Sequence, residues 1–137
     1  IPTSITSIED YAFNKCSSLE QIQIPSSVDQ INEYVFNSCH ELKIISLPSS
    51  VTIIKGFAFN NCSSLEEISI PPSVTKIGEN AFSDCYCLKK IFIPSSVTEI
   101  EDGAFSSCTK LVEITIPSSI TIISHRMFRN CTRLENV

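Results

Sequence analysis

Apolar positions along this chain return with a period of 23 residues. Leucine stands at 19, 42, 65, 88, 111 and 134, phenylalanine at 13, 36, 59, 82, 105 and 128, and cysteine at 16, 39, 62, 85, 108 and 131. The register never slips. Self-similarity at a fixed period in this range marks a solenoid, in which each coil buries its apolar side against its neighbours. Taking Ile1 to Gln23 as one period, the columns begin at Ile1, Ile24, Leu47, Ile70, Ile93 and Ile116, each followed by proline.

Three elements are predicted within each period. The pair Ile22-x-Ile24 alternates and is β-branched, predicting a strand of about three residues that Pro25 ends by removing the next backbone donor. After the proline, Ser4, Ser27, Ser50, Ser73, Ser96 and Ser119 fill one place, where a hydroxyl can bond main-chain groups. The Asp29-Gln30-Ile31 type of segment then predicts a second, shorter extended stretch. Finally, Val35, Phe36 and Cys39 fall at helical intervals, predicting one or two tight 3-10 or helical turns. Residues 1–137 therefore read as one repeat solenoid of about six 23-residue coils, with a short parallel β-sheet on one face and short second strands. Neither end carries the polar-faced cap that usually closes such a stack, so the chain is expected to be part of a longer array.

Departures from the repeat are few. Position eleven runs Tyr11, Tyr34, Phe57, Asn80, Gly103, Arg126, and this drift from aromatic to polar predicts rising exposure toward the carboxyl end. Ile53 and Ile122 replace polar residues of other coils, which places two apolar side chains on a lateral face.

Composition narrows the function. A net charge of -5 argues against nucleic acid, whose phosphates call for a clustered positive surface. No apolar run reaches 18 residues, so no membrane-inserting segment is predicted. Adjacent thiols in the cysteine column would lie about 5 Å apart with parallel Cβ vectors, which disfavours disulfides and fits small buried hydrophobes. Cys87 breaks the column and is expected to be exposed and free. The Cys85-Tyr86-Cys87 run is far from any histidine, and neither a metal site nor a cofactor is predicted.

His40 and His125 fall at different places in the period, almost four coils apart. No phosphate-binding glycine loop or nucleophile grouping converges by repeat geometry, so no catalytic residues and no enzymatic activity are assigned. Glu66-Glu67 reads as part of a solvated face. Asn61-Cys62-Ser63 and Asn130-Cys131-Thr132 match the N-glycosylation pattern, but each centres on a column cysteine.

What remains is surface. The outward residues of the strand sheet are Gln21 and Gln23, Ile44 and Ser46, Glu67 and Ser69, Lys90 and Phe92, and Glu113 and Thr115. Such a face suits a protein or glycan ligand. Phe92, beside Lys90 and near Glu67 and Glu113, has the makings of an interface anchor with a polar surround, although β-propensity alone would also place an aromatic there.

The reading Cys16-x-x-Leu19-x-x-Ile22-x-Ile24-Pro25-x-x-Val28-x-x-Ile31, then Val35-Phe36-x-x-Cys39, resembles the BspA-like, or treponemal-type, class of leucine-rich repeat. All six coils carry the pattern. Ser27 stands where other leucine-rich classes carry the asparagine of their hydrogen-bonded ladder. Similar proteins are surface-exposed or secreted and are implicated in adhesion to host cells and matrix. The resemblance implies a protein-binding module at the cell surface or secreted, contacting host or matrix ligands through the strand face, and a monomer is expected. The alternative is a cytoplasmic interaction scaffold with reduced thiols as its natural state.

Overall fold

A computed structural model describes residues 1–137 as six stacked coils whose backbones are joined on three faces. On the first face, β1 (Gln21–Gln23), β3 (Ile44–Ser46), β5 (Glu67–Ser69), β7 (Lys90–Phe92) and β9 (Glu113–Thr115) form a five-stranded parallel sheet in coil order. The sixth coil joins it through a single bridge from Glu113 to Asn136. Each strand begins one residue earlier than the alternation predicts, because only its central isoleucine points inward and the second apolar residue of the pair turns into the core just beyond it. On the second face, β2 (Gln30–Ile31), β4 (Ile53–Ile54), β6 (Lys76–Ile77) and β8 (Glu99–Ile100) make the shorter sheet.

On the third face the expected tight turns form, with the Asn37 and Cys39 amides donating to the Tyr34 and Phe36 carbonyls at 3.2 Å, but they do not wind into a helix. A helix needs its amides for bonds within the segment, and here alternate amides are donated to the next coil. Tyr34, Phe36 and Ser38 donate to the carbonyls of Gly56, Ala58 and Asn60 at 3.2, 2.9 and 2.8 Å, and the same three bonds recur at all five junctions. The segment reaches across by placing period positions eleven and fifteen in the left-handed region. Tyr34 and Ser38 have φ of 56° and 59°, and their counterparts in every coil do likewise.

This geometry also overturns the expected trend in exposure at position eleven. Tyr34, Phe57 and Asn80 are half-buried, Gly103 is buried, and only Tyr11 and Arg126 in the outermost coils are exposed. Tyr11, Tyr34 and Phe57 stack face to face, with ring centroids 4.7 Å apart. Gly103 is suited to its φ of 64°, and a Cβ there would meet the Asn80 amide. At Gly78 the constraint is approach between coils, because a Cβ would lie 2.5 Å from the Gly56 nitrogen.

Inside these ladders sits one core of 34 buried residues. Phe13, Phe36, Phe59, Phe82, Phe105 and Phe128 pile in a row with near-parallel rings, their centroids 5.3 to 6.0 Å apart. Two polar columns tie this interior to the backbone. Ser50, Ser73, Ser96 and Ser119 each donate a hydroxyl to the carbonyl of the valine 22 residues earlier, at 2.6 to 2.7 Å. The serine column thus ties each coil to the one before it through a single donor. The thiols of Cys39, Cys62, Cys85, Cys108 and Cys131 point in the same way at the carbonyls of Phe13, Phe36, Phe59, Phe82 and Phe105.

All seven cysteines are free. The four inner column thiols are buried, while Cys16 is exposed and Cys131 half-buried because each lies in an outermost coil. Cys87 is half-buried rather than exposed, since the Lys110 chain crosses it with Nζ 3.4 Å from its sulfur. Burial pushes the Cys39 thiol up to about 11 and drives Cys62, Cys85 and Cys108 higher still.

Replacing Phe82 by alanine is expected to cost about 3–5 kcal/mol in denaturant unfolding, because the ring is wholly buried between two others. The thiol column predicts an alkaline limit. Below about pH 9 the thiols are protonated in both folded and unfolded chains; above it, the unfolded chain loses protons that the folded one keeps, so stability falls as pH rises toward and past 11. Thermal melts in reducing buffer from about pH 8 to 11 should show the fall, and Cys62→Ala should make it shallower.

Candidate ligand-binding face

Pleating of the first sheet decides which side chains meet solvent. In a strand of three residues, the first and third point away from the face that receives the second. Ile45, Ile68, Ile91 and Ile114 accordingly enter the core, and all ten predicted outward residues are exposed. Parallel register lines them up in two rows.

In one row Gln21 lies opposite Ile44, and Lys90 lies between Glu67 and Glu113. In the other row Gln23, Ser46, Ser69, Phe92 and Thr115 succeed one another in register. The structure therefore brings all ten onto one continuous surface. Phe92 is 68 % exposed and stands between the short side chains of Ser69 and Thr115, so its ring projects above its neighbours. Ile44, 65 % exposed, is the second apolar point, two strands away.

Charge on this face is mixed. Just before the strands, Glu20 pairs with Lys43 at 3.3 Å and Glu66 pairs with Lys89 at 2.5 Å, all four side chains lying open to solvent. Hydrogen bonding to Lys89 holds the Glu66 carboxyl below its ordinary range, and the same bond raises the Lys89 ammonium. Glu66 and Glu67 both face solvent, Glu66 lying one residue ahead of β5. Lys90 makes no ion pair, although carboxylate-bearing residues flank it in register. An unpaired ammonium and an upstanding ring, 2 residues apart on one strand, can offer a partner a charge and an apolar contact together.

A concavity that the repeat does not predict lies on the lateral face. It is an open cleft of about 510 Å³ beside β8, lined by Glu99, Ile100, Glu101, Asp102, Ile120 and Ile122 among others. Ile122, 72 % exposed, was the one legible sign of it; Ile53, the other lateral isoleucine, is half-buried within β4. The cleft exists because the sixth coil does not continue the shorter sheet, although its sequence keeps the repeat. No three His, Cys, Asp or Glu side chains converge at metal-binding spacing, and no helix is long and apolar enough to cross a membrane.

Comparison with known proteins agrees with this architecture. A leucine-rich repeat protein from Bacteroides ovatus is 38 % identical and superposes with a TM-score of 0.91 over 99 % of this chain, which spans 35 % of that protein. The leucine rich repeat protein of Treponema pallidum is 31 % identical with a TM-score of 0.82, covering 98 % of this chain and 76 % of that one. A leucine rich cell surface protein from Faecalibacterium prausnitzii is 29 % identical with a TM-score of 0.60, over 98 % of this chain and 51 % of that one. No curated protein matches. The family model for the BspA type leucine rich repeat region matches residues 1–112 and 30–137 in six copies, and the chain belongs to that family.

Proposed function

We propose that the chain is a protein-binding module that acts at a cell surface or in secretion, contacting host or matrix ligands through the five-stranded face. The observation that carries this reading is the exposed ring of Phe92, standing in a surface of short and polar side chains. Large aromatics that desolvate at the centre of an interface supply most of its energy, and surrounding polar residues keep water out. Several strands presenting similar weak contacts along one line also gain from avidity when the ligand repeats. The description of the Faecalibacterium relative as a cell surface protein supports the location.

A second reading, an intracellular scaffold using the same face, is favoured by the seven unpaired thiols, since reducing compartments keep cysteines in that state. Fractionation of cells expressing the full-length protein separates the two: surface accessibility supports the adhesion reading, and retention in the cytosol supports the scaffold.

Binding of labelled protein to cultured epithelial cells and to matrix-coated surfaces tests the face itself. Phe92→Ala is expected to weaken adhesion about thirtyfold, equivalent to about 2 kcal/mol, with an unchanged melting temperature. Equal adhesion by the variant would refute the assignment.

A further inference from the structure

The cleft beside β8 has a backbone edge as well as side-chain walls. In the preceding coils the shorter sheet is flanked by a threonine ladder, with Thr52 donating its amide to Asp29, Thr75 to Thr52 and Thr98 to Thr75, at 2.8 to 2.9 Å. Each of these threonine hydroxyls adds a bond to the same carbonyl. Thr121 makes neither bond to Thr98. The strand that should follow β8 is missing too, and Ile123, whose counterparts in the five earlier coils are all buried, is 57 % exposed. The Ser124 hydroxyl still reaches across to the Ile100 carbonyl, and the His125 amide donates to Asp102 Oδ1 at 3.0 Å.

Charge on the molecule is segregated toward this side. Period positions six to ten of the six coils hold eight of the acidic residues and only two lysines, whereas the rest of the chain holds seven acidic and eight basic residues. The net negative charge therefore belongs to the lateral face. Around the cleft, Glu99 and Glu101 already receive an ammonium from one side, with Lys76 Nζ at 3.2 and 2.6 Å. Lys76 lies in β6, in register with Glu99, so a cation carried by a neighbouring strand is what these carboxylates are placed to accept.

We infer that the cleft takes up an extended, lysine- or arginine-bearing segment of a partner protein as an additional strand beside β8. The Thr98 carbonyl supplies an acceptor at the edge, Ile120 and Ile122 give apolar walls for alternate side chains, and Glu99 with the second oxygen of Asp102 holds the cations, since Lys76 and the Glu79 amide already occupy the Glu101 carboxylate. Strand addition of this kind takes affinity from the main chain and selectivity from alternate side chains. This site is separate from the five-stranded face and does not depend on the function proposed for it.

The test uses an acetylated hexapeptide of alternating lysine and valine, titrated into the whole chain by calorimetry and by amide chemical shifts. Binding should centre its shifts on residues 98–102 and 120–124, weaken as salt is raised, and be absent for the glutamate–valine peptide. Methylating alternate peptide nitrogens, which keeps the charge but removes donors, should cost at least about tenfold in affinity. Glu99→Gln should also weaken binding several-fold, while Glu41→Gln, an equal loss of charge on a distant exposed turn, should not. Undiminished binding of the methylated peptide, equal effects of the two glutamine variants, shifts on β5 and β7 instead, or no binding at about 1 mM would each overturn the proposal. Concentration-dependent self-association that occludes the same residues would assign the cleft to a second copy and overturn it as well.

Discussion

The structure depends on amides that bond to the next coil instead of to their own segment. Fifteen of them, three at each junction, run up the third face, and they determine both the spacing of the coils and the absence of helix. Once that spacing is set, identical side chains must lie directly over one another. The stacked phenylalanines, the serine hydroxyls and the cysteine thiols are consequences of that single repeat distance. A buried column can keep its residue type only because every coil offers the same neighbours.

Much of this was legible in the chain itself, for a physical reason. The inward columns at Phe36, Leu42 and Cys39 repeat without error because packing against the coil on either side tolerates little change in volume. The outward residues of the five-stranded sheet could be named from pleating alone, and Phe92 and Ile44 are exposed as that argument requires. The third face misled the same reasoning. Val35, Phe36 and Cys39 have helical spacing, yet the left-handed residues at Tyr34 and Ser38 redirect the chain, and nothing in the identity of a tyrosine or a serine announces a positive φ. The two columns together carry a weak hint. Beside tyrosine, phenylalanine, lysine and arginine they hold asparagine, aspartate, serine and glycine, and they contain no β-branched residue, the type for which a left-handed φ is most strained.

The cleft beside β8 escaped detection for the opposite reason. Residues 116–124 keep the repeat, so pattern reading assigns them the same second strand as their predecessors. Both outermost coils lack the second strand, at residues 7–8 as at 122–123, although both keep the repeat, so its loss is invisible to periodicity. The widest spacing in the phenylalanine row, 6.0 Å between Phe105 and Phe128, occurs at the junction with the last coil. Two kinds of surface thus coexist: one regular and nearly balanced in charge, the other acidic and interrupted. A scaffold of this sort can vary the outward residues of both without disturbing its interior, since the buried columns come from the inward residues alone.

The junction bonds also bear on how the molecule would respond to mechanical load. Each coil is held only by the two beside it, and no tie joins distant parts of the stack. Tension applied between the two termini would therefore work on the outermost coil first and peel the coils away one after another. Every detached coil would release about 75–80 Å of slack, the contour of one 23-residue period. Such stepwise lengthening limits the force that the stack transmits from one end to the other.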